Sequence, residues 1–157
     1  MTGFRRGVRL GVDVGRARVG VARCDPDGML AVPVETVPRD DAAITRLVAI
    51  AAEYEPLEFV VGLPVNLQGA DTPSTTDARE FAALLQRESG VPVRLIDERL
   101  STVSAHAALR SSGRSQKNSR SIVDQVAAVV LLQQAIDTEK STGNPAGAPV
   151  PVDEEPA

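Results

Sequence analysis

Apolar residues alternate with small or polar ones over residues 8–14 and again over 19–24, with Gly15-Arg16-Ala17-Arg18 between them. A period of two interrupted by a glycine-bearing turn predicts a β-hairpin. Asp25-Pro26-Asp27-Gly28 follows as a turn, since Pro presets φ and Gly tolerates φ > 0. Residues 29–37 read as a third strand, with Leu30, Val32 and Val34 on one face. Pro33 cannot donate to a ladder, which assigns that strand to a sheet edge. The period then changes. Ile44, Leu47, Val48, Ala51 and Ala52 recur at helical spacing behind Asp40 and Asp41, either of which can cap. Pro56 stops this helix. Phe59-Val60-Val61-Gly62-Leu63 is a continuous apolar run, the pattern of a strand covered on both faces. A polar loop over 64–75 precedes a helix over 76–88 that ends at Ser89-Gly90, and residues 93–96 form another strand. Ser101 or Thr102 caps a helix reaching Leu109, and 111–117 read as a basic loop. A last helix runs over 119–136 with Ile122, Val126, Val129 and Val130 on one face. The order β-β-β-α-β-α-β-α-α predicts an α/β domain, a mixed sheet with helices on its faces.

The chain of 157 residues is long enough for one domain with its own core. Residues 1–137 are expected to be that domain. Residues 138–157 are rich in Pro, Gly and Ala and are expected to be a disordered acidic tail. Charge distribution sharpens this division. The net charge is −4, but Glu139, Asp153, Glu154 and Glu155 against Lys140 place −3 in the tail and leave −1 on the rest. Residues 99–123 hold Arg99, Arg110, Arg114, Lys117 and Arg120 and no acidic residue. Such a local positive patch suits phosphate better than the whole-chain sum suggests, although a solvated polar loop would look the same. With no Trp, one Tyr and three Phe, a base-stacking platform is not favoured. Cys24 is the only cysteine, so an intrachain disulfide is excluded and a reducing compartment is expected. No signal-like or membrane-spanning run is present, and the expected location is the cytoplasm, away from any membrane.

Asp13 is the most informative residue. It lies inside the first strand, in Leu10-Gly11-Val12-Asp13-Val14-Gly15. A lone carboxylate in an apolar strand is costly unless it is paired or binds a metal, while the plainer alternative is a cap on the following turn. Gly11 and Gly15 leave space beside it. Asp97-Glu98-Arg99 follows the last strand, where α/β proteins place their sites. Neighbours on a strand point to opposite faces, so Asp97 and Glu98 should not both hold one ion. Either could instead cap the next helix or pair with Arg99. Asp124 stands in the last helix with Ala127 and Ala128 on its face, small enough for close approach to the sheet. The competing reading is an Asp stabilised by the helix dipole. Arg16 and Arg18 flank the hairpin turn beside Asp13, and Asn66 follows the central strand toward the same sheet end. His106 is the only histidine, too few for a His-based triad or zinc site.

Four segments in order resemble the motifs of the YqgF/RuvX family. They are Gly11-Val12-Asp13-Val14-Gly15-Arg16-Ala17-Arg18-Val19-Gly20-Val21-Ala22, Val61-Gly62-Leu63-Pro64-Val65-Asn66-Leu67-Gln68-Gly69, Asp97-Glu98-Arg99-Leu100-Ser101-Thr102 and Ile122-Val123-Asp124-Gln125-Val126-Ala127-Ala128. The resemblance covers residues 8–136. It implies an RNase H-like, five-stranded sheet ordered 3-2-1-4-5, with the first three strands antiparallel and helices on both faces. It implies that Asp13, Glu98 and Asp124 form an acidic cluster holding Mg²⁺ or Mn²⁺, two ions being expected, since hard cations take oxygen ligands and relieve carboxylate repulsion. It implies nuclease activity: 5′-end maturation of pre-16S rRNA, or resolution of four-way DNA junctions. Partners would be RNA, with ribosomal assembly particles, or branched DNA. Symmetric junction cutting would call for a homodimer. Arg16, Arg18, Asn66, Arg99, Arg114, Lys117 and Arg120 would contact the backbone without reading sequence. Residues 116–120 are less dense in Lys and Arg than the family pattern. A non-catalytic RNA-binding assembly factor is the reading from another class. A sugar-kinase or actin-like ATPase also opens on an Asp-x-Gly hairpin, but needs a second lobe that this length does not allow.

Overall fold

The computed structural model describes residues 4–64, 68–97 and 116–151, the last with side chains from residue 125 onward. β1 (Arg9–Val14) and β2 (Arg18–Cys24) form the expected antiparallel hairpin. Its turn requires Gly15, because a Cβ there would lie 2.6 Å from the Arg18 carbonyl oxygen that the Gly15 N–H bonds. The next turn is fixed by Asp25. Its carboxylate accepts N–H bonds from Leu30, Met29 and Asp27, and the Leu30 bond leads in holding it below the ordinary aspartate range. Met29 and Leu30 belong to this turn and are exposed, so β3 (Ala31–Pro38) starts two residues later than the pattern suggested. Pro33 lies on the sheet edge, as its missing N–H demands.

α1 (Ala43–Tyr54) buries Ala43, Leu47, Ile50 and Ala51, whereas Val48 is half-buried and Ala52 exposed. The stripe is therefore rotated from the expected one. Asp40 shapes the entry by accepting the Ala42 N–H at 2.9 Å, in an Asx turn rather than as the N-cap itself. β4 (Glu58–Leu63) is covered on both faces, with Phe59 and Val61 on one side and Val60 on the other. α2 (Pro73–Ser89) begins three residues before the expected start. Thr72 and Thr75 bond each other reciprocally as a capping box, and Pro73 occupies the first turn where its missing N–H costs nothing. β5 (Val93–Asp97) follows.

α3 (Gln116–Thr142) is longer at both ends than the expected 119–136, and residues 116 and 117 are helical rather than loop. Its buried stripe is Ala127, Ala128, Leu131, Leu132, Ala135, Ile136 and Glu139, with Val126, Val129 and Val130 only half-buried. Expecting the valines inside overlooked the close packing that alanines permit. The expected helix over 101–109 and the loop over 111–115 lie outside the described residues.

Among the described residues six strands form one sheet in the order β3-β2-β1-β4-β5-β6. The first five stand in the expected order. The sixth, β6 (Ala148–Pro149), pairs antiparallel with β5 and corrects the expectation of a disordered tail across residues 138–151. Val150 is buried and its N–H bonds the Val93 carbonyl at 2.9 Å, while Arg94 donates to the Ala146 and Gly147 carbonyls. Residues 152–157 lie outside the described residues. One core fills the space between the sheet and α1 with α2, and a second lies between the sheet and α3.

At the lower end of α3, Glu139 is 2 % exposed and receives Arg9 at 2.9 Å and Arg5 at 2.7 Å, with Glu58 also held by Arg5. Burial raises the Glu139 pKa, but the Arg5 hydrogen bonds and both arginine charges outweigh it and hold the carboxyl below its ordinary value. A buried carboxylate thus locks the end of α3 to the start of β1.

Candidate active site

Asp13 stands near the C-terminal end of β1, half-buried beside fully buried Leu10 and Val12. Strand alternation decides its direction. Leu10 and Val12 face α1 and α2, so Gly11 and Asp13 share the face covered by α3. Gly11 precedes Asp13 on its own strand, Gly20 is its partner across β2, and Gly62 follows Val61, the β4 partner of Val12. None of the three carries a side chain, and Gly20 lies directly across from Asp13.

α3 runs antiparallel to β1. Lys140 reaches the Gly28 carbonyl, Gln133 accepts from the Ala31 N–H, and Gln125 donates to Thr36, so the helix descends as β3 ascends. β3 and β1 are parallel through their shared antiparallel partner β2. The helix touches the sheet closely at Gly11, where a Cβ would lie 2.8 Å from Leu132 Cβ and 2.9 Å from the Ala128 carbonyl oxygen. From that point Asp13 is two residues onward along the strand, and Asp124 is one turn back along the helix. Both steps lead to the same end of the same face. The Asp13 and Asp124 positions thus lie toward one end of that face.

The other candidates divide. Asp97 is exposed and has the parity of Val93 and Leu95, which face α1 and α2, so it is turned away from Asp13. Ile96 has the opposite parity and packs under α3. Arg18 has the parity of Gly20 and belongs to the Asp13 face. Arg16 does not join it. It lines a cavity of about 400 Å³ with Arg39, Pro73, Ser74 and Asp77 on the α2 side. Glu98, Asn66, Arg99 and Arg114, and the side chains of Asp124, Lys117 and Arg120, lie outside the described residues. Among the described residues no three His, Cys, Asp or Glu side chains form a metal-holding group.

Arg39 was not singled out from the sequence. Its Nη1 donates to the Gly15 carbonyl and to Asp77 Oδ2, its Nη2 donates to Asp77 Oδ1, and the guanidinium lies 4.8 Å from the Phe81 ring centroid. The Asp77 hydrogen bond raises the Arg39 pKa, and the reciprocal bond from Arg39 leads in lowering that of Asp77, to which the Arg16 charge adds. The only linear signal was a basic residue directly after a strand, in Val37-Pro38-Arg39.

Residues 7–138 match the family model described as "RuvX: Holliday junction resolvase". The chain belongs to the RuvX family. Its RuvX relatives include a protein of Clavibacter michiganensis subsp. michiganensis, 55% identical over 151 residues that cover 94% of each chain. Another, from Streptomyces coelicolor, is 54% identical over 152 residues, covering 95% of this chain and 91% of that one. Both bear the name "Putative pre-16S rRNA nuclease". In fold, this RuvX chain is similar to T. thermophilus RuvC, solved in complex with a Holliday junction substrate. The TM-score is 0.56 over 89% of this chain and 99% of that one, and at 17% identity the likeness concerns the fold alone. The RNase H-like class expected from the motifs is borne out, with one strand more than expected.

Proposed function

We propose that this RuvX protein is a divalent-metal-dependent endonuclease that hydrolyses phosphodiester bonds in pre-16S rRNA at the 5′-end maturation step, with Asp13, Glu98 and Asp124 as its acidic residues. The observation that carries the reading is a half-buried carboxylate across from Gly20, on the sheet face covered by the helix that bears Asp124. The names of the relatives give the substrate. Asp97 is turned away from Asp13, which supports Glu98 as the second carboxylate of this segment.

An all-carboxylate donor set fits Mg²⁺ or Mn²⁺, which prefer hard oxygen ligands. Such an ion supplies a more acidic bound water and neutralises charge on the phosphoryl oxygens. Asp13 would hold it from the sheet and Asp124 from the helix. Gly20, directly across from Asp13, keeps a side chain from the position next to its carboxylate and supports entry of the sugar-phosphate backbone there. Arg18 on the same face, with Asn66, Arg99, Arg114, Lys117 and Arg120, would position phosphates without reading bases.

Cutting a four-way DNA junction is the second reading, favoured by the description of the family model and requiring two copies of the chain. Labelled pre-16S rRNA fragments and synthetic four-way junctions, each with Mg²⁺ or Mn²⁺, separate the two. Cleavage of the RNA alone supports the first reading, and cleavage of the junction alone supports the second. Binding without cleavage of either would replace both with a ribosome-assembly role. Fractionation of the protein with ribosomal precursor particles tests that partner, and a cytoplasmic location is checked in the same lysate.

A further inference from the structure

The cavity beside the hairpin turn is not part of the Asp13 face, yet it opens at the same end of the sheet. Gly15 is two residues after Asp13, and the Arg39 guanidinium bonds its carbonyl at 2.8 Å. The Arg39 backbone N–H bonds the Ala17 carbonyl at 2.9 Å, so the turn is held from two sides. Asp77 holds the guanidinium with two bonds, at 2.8 and 2.9 Å, and Phe81 supports it from beneath. Opposite stands exposed Arg16, whose charge reaches Asp77. Ser74 contributes a hydroxyl to the same wall. Two guanidinium groups against one carboxylate leave the cavity with one positive charge.

The geometry points to a binding site for a non-scissile phosphate of the RNA backbone, formed by Arg16, Arg39 and Ser74 and restrained by Asp77. A phosphodiester carries one negative charge, which matches the excess. Arg39 is fixed by the fold and offers an ordered guanidinium edge, while Arg16 closes from the exposed side. Asp77 occupies part of the Arg39 fork in the unbound chain, so phosphate binding competes with the ion pair. A backbone engaged beside Asp13 would continue across the hairpin turn into this cavity, and the site would fix where along the strand the cut falls.

This inference rests on the nucleic-acid reading above but can fail separately from it. The test uses the full chain carrying Asp13→Asn, so that no substrate is consumed. Its affinity for a labelled pre-16S rRNA fragment is measured over a range of salt concentrations. Arg16→Ala, at an exposed position, should weaken binding several-fold and reduce the slope of log affinity against log salt by about one. Asp77→Asn should act in the opposite direction, tightening binding by releasing Arg39. Unchanged affinity and slope in Arg16→Ala, or weaker binding in Asp77→Asn, would overturn the site. The same titrations with a four-way DNA junction identify the source of the phosphate. Losses confined to the junction would overturn the RNA assignment. If the chain with Asp13 intact cuts RNA while both variants bind as their parent, the cavity proposal falls and the nuclease reading stands. Shifts in binding without any cleavage would have the reverse meaning.

Discussion

Gln125 Nε2 donates to Thr36 Oγ1 at 2.8 Å, and Thr36 lies in the same cross-strand row as Asp13, through Gly20. The bond joins α3 to the sheet at the residue next to Asp124. It therefore sets the height of the helix over the Asp13 face. Thr36→Val should cost about 1 kcal/mol of stability, the usual value of one such bond. If the bond also positions Asp124, the variant should need a higher concentration of Mg²⁺ or Mn²⁺ for half-maximal cleavage. Denaturant unfolding and a metal titration read the two effects separately, and an unchanged metal midpoint would leave the bond a purely structural role.

At Gly11 helix and sheet meet closely. An added Cβ would press on Leu132 Cβ and on the backbone oxygen of Ala128, and the latter cannot rotate aside. Gly11→Ala should cost about 1–3 kcal/mol, the range for overpacking. It should also displace α3 and lower cleavage more than this loss of stability alone explains. Gly90→Ala provides the contrast, since no atom lies within 4 Å of its added Cβ, although its φ of 71° favours glycine. It should leave cleavage unchanged.

The buried Glu139 sets an acid limit on the fold. Its folded pKa is depressed, so its contribution is present above the unfolded glutamate value of about 4.3 and is lost as pH falls through the folded value. Unfolding free energy measured against pH should fall through that acid window in the unaltered chain and fall less steeply in Glu139→Gln. At neutral pH that substitution should cost about 3–5 kcal/mol, because Arg9 is left buried without its partner.

The β-β-β-α-β-α-β order, the edge position of Pro33 and the placement of Asp13 within an apolar strand were all legible in the sequence. Each rests on local chemistry: a period, a missing N–H, a costly carboxylate. What was not legible depended on distant partners. Ala148 and Pro149 carry no strand signal and pair only because β5 offers an open edge. Glu139 read as part of a solvated acidic tail until Arg5 and Arg9, over a hundred residues away, gave it a reason to be buried. Arg16 and Arg18 looked equivalent beside one turn, but Arg16 lies in the turn itself and lines the α2-side cavity, while Arg18 opens β2 on the Asp13 face. The α3 stripe was misplaced because alanine, weakly hydrophobic, is buried for its size.

The corrected end of the domain makes its own prediction. Removing residues 144–157 deletes β6 and Val150, and exposes Val93, Leu95 and the β5 edge. The shortened chain should lose about 2 kcal/mol or more, from one buried apolar side chain and several hydrogen bonds, and should aggregate more readily through the open edge. Thermal unfolding and light scattering check both. A truncated chain as stable as the full one would mean that the sixth strand contributes nothing.

The most direct test of the central claim compares Asp13→Asn with Asp97→Asn on a labelled pre-16S rRNA fragment in Mg²⁺ or Mn²⁺. Asp13 faces α3 and Asp97 faces the other side of the sheet. The account predicts that Asp13→Asn abolishes the cut while Asp97→Asn retains it. Cleavage by Asp13→Asn at the unaltered rate would contradict the account and move the chemistry to another site.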